Sequence, residues 1–277
     1  MKTLEKQNMI TLNNQLEMPQ IGLGVLKAKD GQEVKNAVLS ALSNGYRLID
    51  TAAAYRNEVG VGEAIAESDF SREEIFLTTK VWNSDQGYHE TLAAFERSLK
   101  ELKTDYVDLY LIHWPVAGKY KDTWRALEKL YKEGKAKAIG VSNFQIHHLQ
   151  NLMATAEIKP MVNQVEMHPH LQQKELRQFS IDHDIQLEAW RPIMMGEVNN
   201  IPALVSIGNK FGKSPAQVAL RWLIQLDVVI IPKSVTPHRI AENMDVFDFE
   251  LSEEDMNQIS ELNMNRRLGP DPDNFNF

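Results

Sequence analysis

The sequence predicts a closed (β/α)8 TIM barrel of the α/β class, with an N-terminal β-hairpin and extra helices near the C-terminus. Three observations carry that expectation. Eight short apolar runs punctuate the chain, amphipathic stretches alternate with them, and the second to seventh runs start 24 to 32 residues apart. That interval is close to one strand, one helix and two loops, so a closed barrel is favoured over an open doubly wound sheet. No proline- or glycine-rich linker breaks the alternation, and one domain is expected over residues 1–277.

Met9 to Leu12 and Leu16 to Pro19 predict the hairpin, turning on Asn13-Asn14-Gln15 because asparagine tolerates turn conformations. Barrel strands are expected at 21–25, 46–50, 75–80, 107–113, 137–141, 162–166, 186–190 and 228–232. Between them, Glu33 to Asn44 reads as a helix closed by Gly45, and Tyr88 to Leu102 as another, with Leu92, Phe95, Leu99 and Leu102 at helical spacing. Further helices are expected at Asp122 to Glu133, Ile146 to Ala156, Gln172 to His183, Pro202 to Phe211 and Pro215 to Leu226. The step from 186 to 228 is long enough to hold an extra helix.

Composition narrows the function classes. A net charge of -8 opposes general attraction to nucleic acid or an anionic membrane, so an anionic ligand would need a local cluster of cations and amides. The chain has no cysteine, which removes disulfides, thiolate metal sites and a thiol nucleophile. No run approaches the roughly 18 apolar residues of a membrane span, and Met1 to Asn8 lacks a secretion-signal core. The cytoplasm is the expected compartment.

Candidate chemistry gathers at strand ends. The strand ending in Leu48-Ile49-Asp50 runs into a short loop carrying Thr51 and Tyr55, the next ends in Lys80, and the third in His113. A barrel presents its C-terminal strand ends to the active site, and Gly24, Ser142, Gln164, Trp190 and Lys233 fall at or just beyond other such ends. An unperturbed tyrosine has a pKa of about 10, so Tyr55 as a proton donor calls for a neighbouring cation. Lys80 is the obvious supplier. Gly22-x-Gly24 alone is a weak dinucleotide signal, lacking the third glycine and an immediate helix.

Several stretches together resemble the aldo-keto reductases, and especially their small bacterial members acting on glyoxals and diketogluconate. They are Gly22-Leu23-Gly24, Asp50-Thr51-Ala52 with Tyr55 and Gly60-x-Gly62, Thr79-Lys80-Val81-Trp82, Asp105 to Pro115, Gly140 to Phe144, Asn163 to Glu166, and Ile231-Pro232-Lys233-Ser234. The resemblance covers nearly the whole chain. It implies a monomeric, metal-free barrel that reduces a small carbonyl substrate with a nicotinamide cofactor, NADPH preferred.

By that resemblance Tyr55 is the proton donor, Lys80 depresses its pKa, Asp50 holds Lys80, and His113 orients the substrate oxygen. Trp82 and Trp114 would wall the substrate pocket. Ser142, Asn143 and Gln164 would bind the nicotinamide amide, with Trp190 stacked on the ring and Gly24, Val25 and Ile193 beside the cofactor. Lys233, Ser234, Val235, Thr236 and Arg239 would form the adenosine 2′-phosphate site, and Glu242 and Asn243 would meet the adenine. The family usually follows the strand-7 aromatic residue with Ser or Gly; here Arg191 stands there, and it is expected to reach the cofactor pyrophosphate.

Two other readings compete: a cofactor-binding regulatory barrel without turnover, and a Schiff-base lyase acting through Lys80. Four further expectations concern neighbouring loops. His168-Pro169-His170 and His147-His148 are expected to face solvent, Met194-Met195 to pack, the tail Asn265 to Phe277 to fold over the barrel mouth, and the short loop Trp114 to Tyr120 to leave an open pocket for small aldehydes.

Overall fold

The computed structural model describes residues 8–277. The segment 1–7, most of the stretch taken above to lack a secretion signal, lies outside the described residues. Strands β1 (Met9–Thr11) and β2 (Glu17–Pro19) form the expected antiparallel hairpin. Its turn sits against the N-terminal strand ends: Asn13 Nδ2 donates to the carbonyls of Pro160 and Asp184, and Asn14 Nδ2 to that of Lys137. With Leu12 and Met18 buried, the hairpin closes the floor of the barrel.

The repeating part follows in order: β3 (Leu23–Gly24), α1 (Gln32–Ser43), β4 (Leu48–Asp50), α2 (Glu58–Glu67), β5 (Phe76–Val81), α3 (Tyr88–Leu102), β6 (Val107–Ile112) and α4 (Tyr120–Lys132). It continues with β7 (Ala136–Ser142), α5 (Ile146–Met153), β8 (Val162–Glu166), α6 (Lys174–Asp182), β9 (Gln186–Trp190), α7 (Pro202–Phe211), α8 (Pro215–Gln225), β10 (Val229–Ile230), α9 (Pro237–Met244) and α10 (Glu253–Ser260). Strands β3 to β10 pair in parallel with their sequence neighbours. The seam between the first and last is made by isolated bridges, Ile21 with Ile230 and Gly24 with Lys233. Eight parallel strands thus form a nearly closed barrel, with α7 as the extra helix of the long connection.

Strands β5, β6 and β8 are buried along their whole length, as expected where helices cover one face and the barrel interior the other. The helices start and stop where local chemistry allows. Ser214 accepts from Gln217 N ahead of Pro215, opening α8, and Ser252 and Asp255 form a reciprocal box that opens α10. Gly45, at φ +95°, follows α1 as a terminating glycine should. Three helix bounds differ from expectation by two or three residues: α4 starts at Tyr120, α5 stops at Met153, and α6 starts at Lys174 because Gln173 is left-handed at φ 49°. The seam strands are also shorter than expected.

Candidate active site

The strand ends bring Asp50, Tyr55, Lys80 and His113 together. Lys80, at the end of β5, is fully buried, and its ammonium donates to both oxygens of Asp50 at 2.7 and 2.8 Å and to the Thr51 carbonyl at 2.8 Å. Its three protons are therefore spent, and Tyr55 Oη lies further off, 3.5 Å from the nitrogen. Burial alone would strip the ammonium; the Asp50 carboxylate, by its charge and its hydrogen bonds, leads what outweighs it, and the Lys80 pKa is raised. The lysine stays charged.

Lys80 acts on the phenol in the expected direction but does not decide its pKa. Burial pushes the Tyr55 pKa up, and the Lys80 charge pulls it down by less than burial adds. A phenolate deprived of water costs more than one cation, already bound to Asp50, returns. Tyr55 consequently keeps its proton across physiological pH. His113 packs edge-on to Tyr55, with centroids 5.6 Å apart, and to Trp82 at 5.1 Å. Burial first and Lys80 second hold its pKa well below the usual histidine range, so the ring is neutral and can donate one N–H.

Beside this quartet the polar groups at the ends of β7, β8 and β9 are tied to each other. Ser142 Oγ donates to the Gln164 carbonyl at 2.8 Å, Asn143 Nδ2 donates to the His113 carbonyl at 2.9 Å and to Ser142 Oγ at 3.1 Å, and Trp190 Nε1 donates to Asn143 Oδ1 at 2.9 Å. Gln164 Nε2 donates to Asp50 Oδ2 and to Glu188 Oε2, both at 2.8 Å. No described residue donates to Gln164 Oε1. Gly24 lies where a Cβ would meet the Ile231 carbonyl at 2.9 Å, so the backbone must run bare there. Arg191, at φ 56°, lays its guanidinium 5.2 Å from the Trp190 ring, and its buried Nη1 has no partner. Val25 is buried and Ile193 half-buried nearby in the chain, and across the seam Lys233 and Arg239 are exposed, Ser234 and Asn243 buried, and Val235, Thr236 and Glu242 half-buried. Ser234 Oγ accepts from Thr236 N, the residue preceding α9.

The tail roofs the mouth, as expected. Phe277 stacks on Trp82 at 5.8 Å, its main-chain oxygen accepts from Asn83 Nδ2, and Phe275 tilts against Trp114 at 5.1 Å. Beneath it lies a cleft of about 590 Å³ lined by Trp82, Pro115, Val116, His148, Phe275 and Phe277. The loop 114–120 thus opens a pocket that the tail partly covers.

Several expectations about histidine and methionine are corrected. His168 is fully buried, its Nε2 3.3 Å from Glu166 Oε1, because the tail crosses that loop: Met264 N and Arg266 N both donate to the His170 carbonyl. His147 is exposed as expected, but His148 is tucked in, accepting from Gln145 N through Nδ1 so that its Nε2 proton points to Asp273 at 3.4 Å. Met194 packs, whereas Met195 is 71% exposed.

Sequence reasoning missed three residues. Glu166 receives Leu268 N and Gly269 N and so anchors the tail. A Cβ on Gly269 would sit 2.4 Å from the Trp190 ring and 3.1 Å from Glu166 Oε2. Replacing Gly269 with Ala should therefore displace the tail or Trp190, at a cost of about 1 to 3 kcal/mol for overpacking, and raise KM for cofactor and aldehyde together; unchanged Tm and KM would refute the contact. The third, Glu188, had one available signal: an acid within the apolar run Leu187-Glu188-Ala189.

With this geometry in place, comparison with known proteins is decisive. A sequence profile of the Aldo/keto reductase family matches residues 20–264. The chain belongs to the aldo-keto reductases. It is 60% identical to the glyoxal reductase of Bacillus subtilis, covering 97% of each chain, and 48% identical to methylglyoxal reductase DkgA of Escherichia coli, covering 93% of this chain and 94% of that one. Among solved structures, a Gox0644 mutant in complex with NADPH superposes with a TM-score of 0.93 at 44% identity over 99% of this chain and all of that one. The Bombyx mori aldo-keto reductase in complex with NADP gives 0.90 at 35% identity, covering 97% and 96%. No described helix is long and apolar enough to cross a membrane.

Proposed function

We propose that this aldo-keto reductase uses NADPH to reduce small aldehydes and α-oxoaldehydes of the methylglyoxal type, and in the same way keto sugars, to alcohols, with Tyr55 as proton donor. The observation that carries the reading is the buried Asp50–Lys80 pair set behind a neutral tyrosine and a neutral histidine. A carbonyl that accepts hydride at carbon develops negative charge on oxygen, and needs a hydrogen-bond donor and an acid beside it. His113 N–H supplies the first. Tyr55 supplies the proton, and the Lys80 charge stabilises the tyrosinate left behind until water returns a proton.

The residues present fit a phosphorylated nicotinamide cofactor. Gln164 Oε1 is an acceptor without a partner, and Ser142 and Asn143 can exchange their mutual 3.1 Å bond for an outside amide. The orphaned, buried Arg191 Nη1 is suited to a pyrophosphate oxygen. The Lys233 and Arg239 cations, with Ser234 and Thr236 at the start of α9, suit the 2′-phosphate, while Glu242 and Asn243 are placed for the adenine. Bound there, the cofactor would supply the hydride. Trp82 and Trp114 would wall the substrate cleft. A charged lysine locked to Asp50 is a poor nucleophile, which weighs against the lyase reading. We take the enzyme to work as a monomer in the cytoplasm, where reduced phosphorylated cofactor is supplied.

The test is loss of NADPH absorbance with methylglyoxal and a panel of aromatic aldehydes, beside NADH. Turnover that is much faster with NADPH supports the reading. Tight NADPH binding with no aldehyde reduced would replace it with the regulatory barrel. Arg191→Ser should weaken NADPH binding about tenfold or more, the equivalent of one charge-assisted hydrogen bond of about 1.5 to 3 kcal/mol. A fluorescence titration giving equal Kd values would remove Arg191 from the site.

A further inference from the structure

The interior of the barrel holds one acid that the scheme above leaves idle. Glu188, on β9, is fully buried, and its only hydrogen bond among the described residues is the one it accepts at Oε2 from Gln164 Nε2. Its other oxygen, Oε1, has no partner, and no cation lies within ion-pair distance. The groups facing it are Gln164 from β8, Asp50 from β4, and, more distantly, Lys80 from β5 and the Tyr55 phenol. On its other side β10 brings only Val229 and Ile230. The two carboxyl groups thus share one amide NH2, and Asp50 has sole possession of the lysine.

That asymmetry decides which acid carries charge. Ionised Asp50 is met by two Lys80 contacts and one from Gln164; an ionised Glu188 would be met by one amide proton, beside a like charge. Burial first, then Asp50, pushes the Glu188 carboxyl up to about 8. We propose that Glu188 is a positioning residue: as a neutral acid it clamps the Gln164 amide jointly with Asp50, which leaves Gln164 Oε1 as the outward acceptor, and its ionisation disables the Tyr55–Lys80 donor. The inference rests on the reductase reading and extends it.

The clamp works because ionised Asp50 can only accept: flipping Gln164 would set its oxygen against that carboxylate, while Glu188, with its proton on Oε1, offers Oε2 as the second acceptor for the amide nitrogen. The electrostatic half follows from charge count. Proton transfer leaves Tyr55 negative beside Asp50 and Lys80, and a second carboxylate at Glu188 opposes that charge, just as it raises the phenol's affinity for its proton. Carbonyl reduction should therefore fall as Glu188 ionises.

The stability consequence has a definite sign. A carboxyl whose folded pKa lies above its unfolded value holds a proton that the unfolded chain has released, so stability is highest below the unfolded value near 4.5 and is lost as pH rises to about 8. The cofactor-free protein and its Glu188→Gln variant, which keeps the acceptor for Gln164, should diverge in Tm from pH 5 to pH 8, with the variant gaining, and run parallel above. Infrared spectra of the same samples should show a protonated-carboxyl carbonyl band in wild type near pH 6 that the variant lacks. If the variant does not fold, the fading of that band in wild type between pH 7 and 9, read in a Glu58→Gln background because burial also pushes the Glu58 carboxyl up to about 7, answers the question. In turnover, wild-type kcat should drop about tenfold from well below the transition to one unit above it, the fraction left by a single ionisation, and the Glu188→Gln limb should move to higher pH. Glu188→Ala, which frees Gln164, should raise the Kd for NADPH severalfold. Parallel Tm curves throughout with the same carboxyl band in wild type and Glu188→Gln overturn the neutral acid; an unchanged alkaline limb overturns its link to Tyr55; an unchanged Kd in Glu188→Ala overturns the clamp. Should no aldehyde be reduced, the reductase reading fails, while Tm and infrared results still decide the state of Glu188.

Discussion

Replacing Tyr55 with Phe should lower kcat for aldehyde reduction by about 10²- to 10⁴-fold, the usual contribution of a positioned general acid, while NADPH still binds. The change is close to a deletion of one oxygen. The phenol makes only a 3.5 Å contact with Lys80, and its ring keeps the same edge-on packing against His113, so little structure depends on the hydroxyl. The neutral His113 would remain to polarise the carbonyl, which is why residual turnover is expected. Because burial holds the phenol protonated, the wild-type enzyme should not lose its donor as pH falls; the loss belongs to the alkaline side. Single-turnover absorbance with cofactor bound separates the chemical step from binding. A variant that retains more than a tenth of the wild-type rate would remove Tyr55 from the proposed role.

Breaking the Asp50–Lys80 pair should be equally damaging to activity and far more so to the fold. Removing one partner of a buried pair leaves an uncompensated charge and costs about 3 to 5 kcal/mol. For a chain of this size that is a Tm loss on the order of 10 °C. Asp50→Asn removes what holds Lys80 protonated, so burial wins and the lysine should become neutral. Lys80→Met leaves Asp50 with Gln164 alone and the second acid, Glu188, next to it. The double variant Asp50→Asn with Lys80→Met removes both charges and should recover much of the Tm while remaining inactive. Additive Tm losses in the double variant would show that the two side chains are not coupled, and measurable activity in it would show that the charge is not needed.

The parts of this arrangement that were legible in the sequence are those governed by periodicity and position. The run Val107 to Ile112 is buried on both faces and apolar apart from Asp108, which marks it as a strand, and the alternation with helices then places Asp50, Lys80 and His113 at one face. What was not legible depends on what packs over what. The direction of the Tyr55 shift reverses because desolvation, which no spacing rule reports, exceeds the pull of Lys80. His168 is buried by a tail almost a hundred residues later in the chain, through hydrogen bonds to the His170 carbonyl. Glu188 sits in an apolar strand without a motif, and its meaning comes only from Gln164 on the next strand.

The seam of the barrel has a consequence for how the protein behaves before anything binds to it. Strands β3 and β10 are two residues long each, and beyond the bridges they are joined by Gly22 N to the Ile230 carbonyl, Gly24 N to the Pro232 carbonyl and Ile230 N to the Gln20 carbonyl. Bringing residue 21 to residue 230 closes a loop of 209 residues, and that entropy must be spent before the contacts return it. The hoop therefore shuts late in folding and opens first in native-state fluctuations, at amides that exchange with solvent sooner than those of β5 to β7. Gly24 and Lys233 stand on opposite lips of that same seam. A dinucleotide held by both would act as a rivet, so that the ligand which brings the chemistry also locks the first strand to the last.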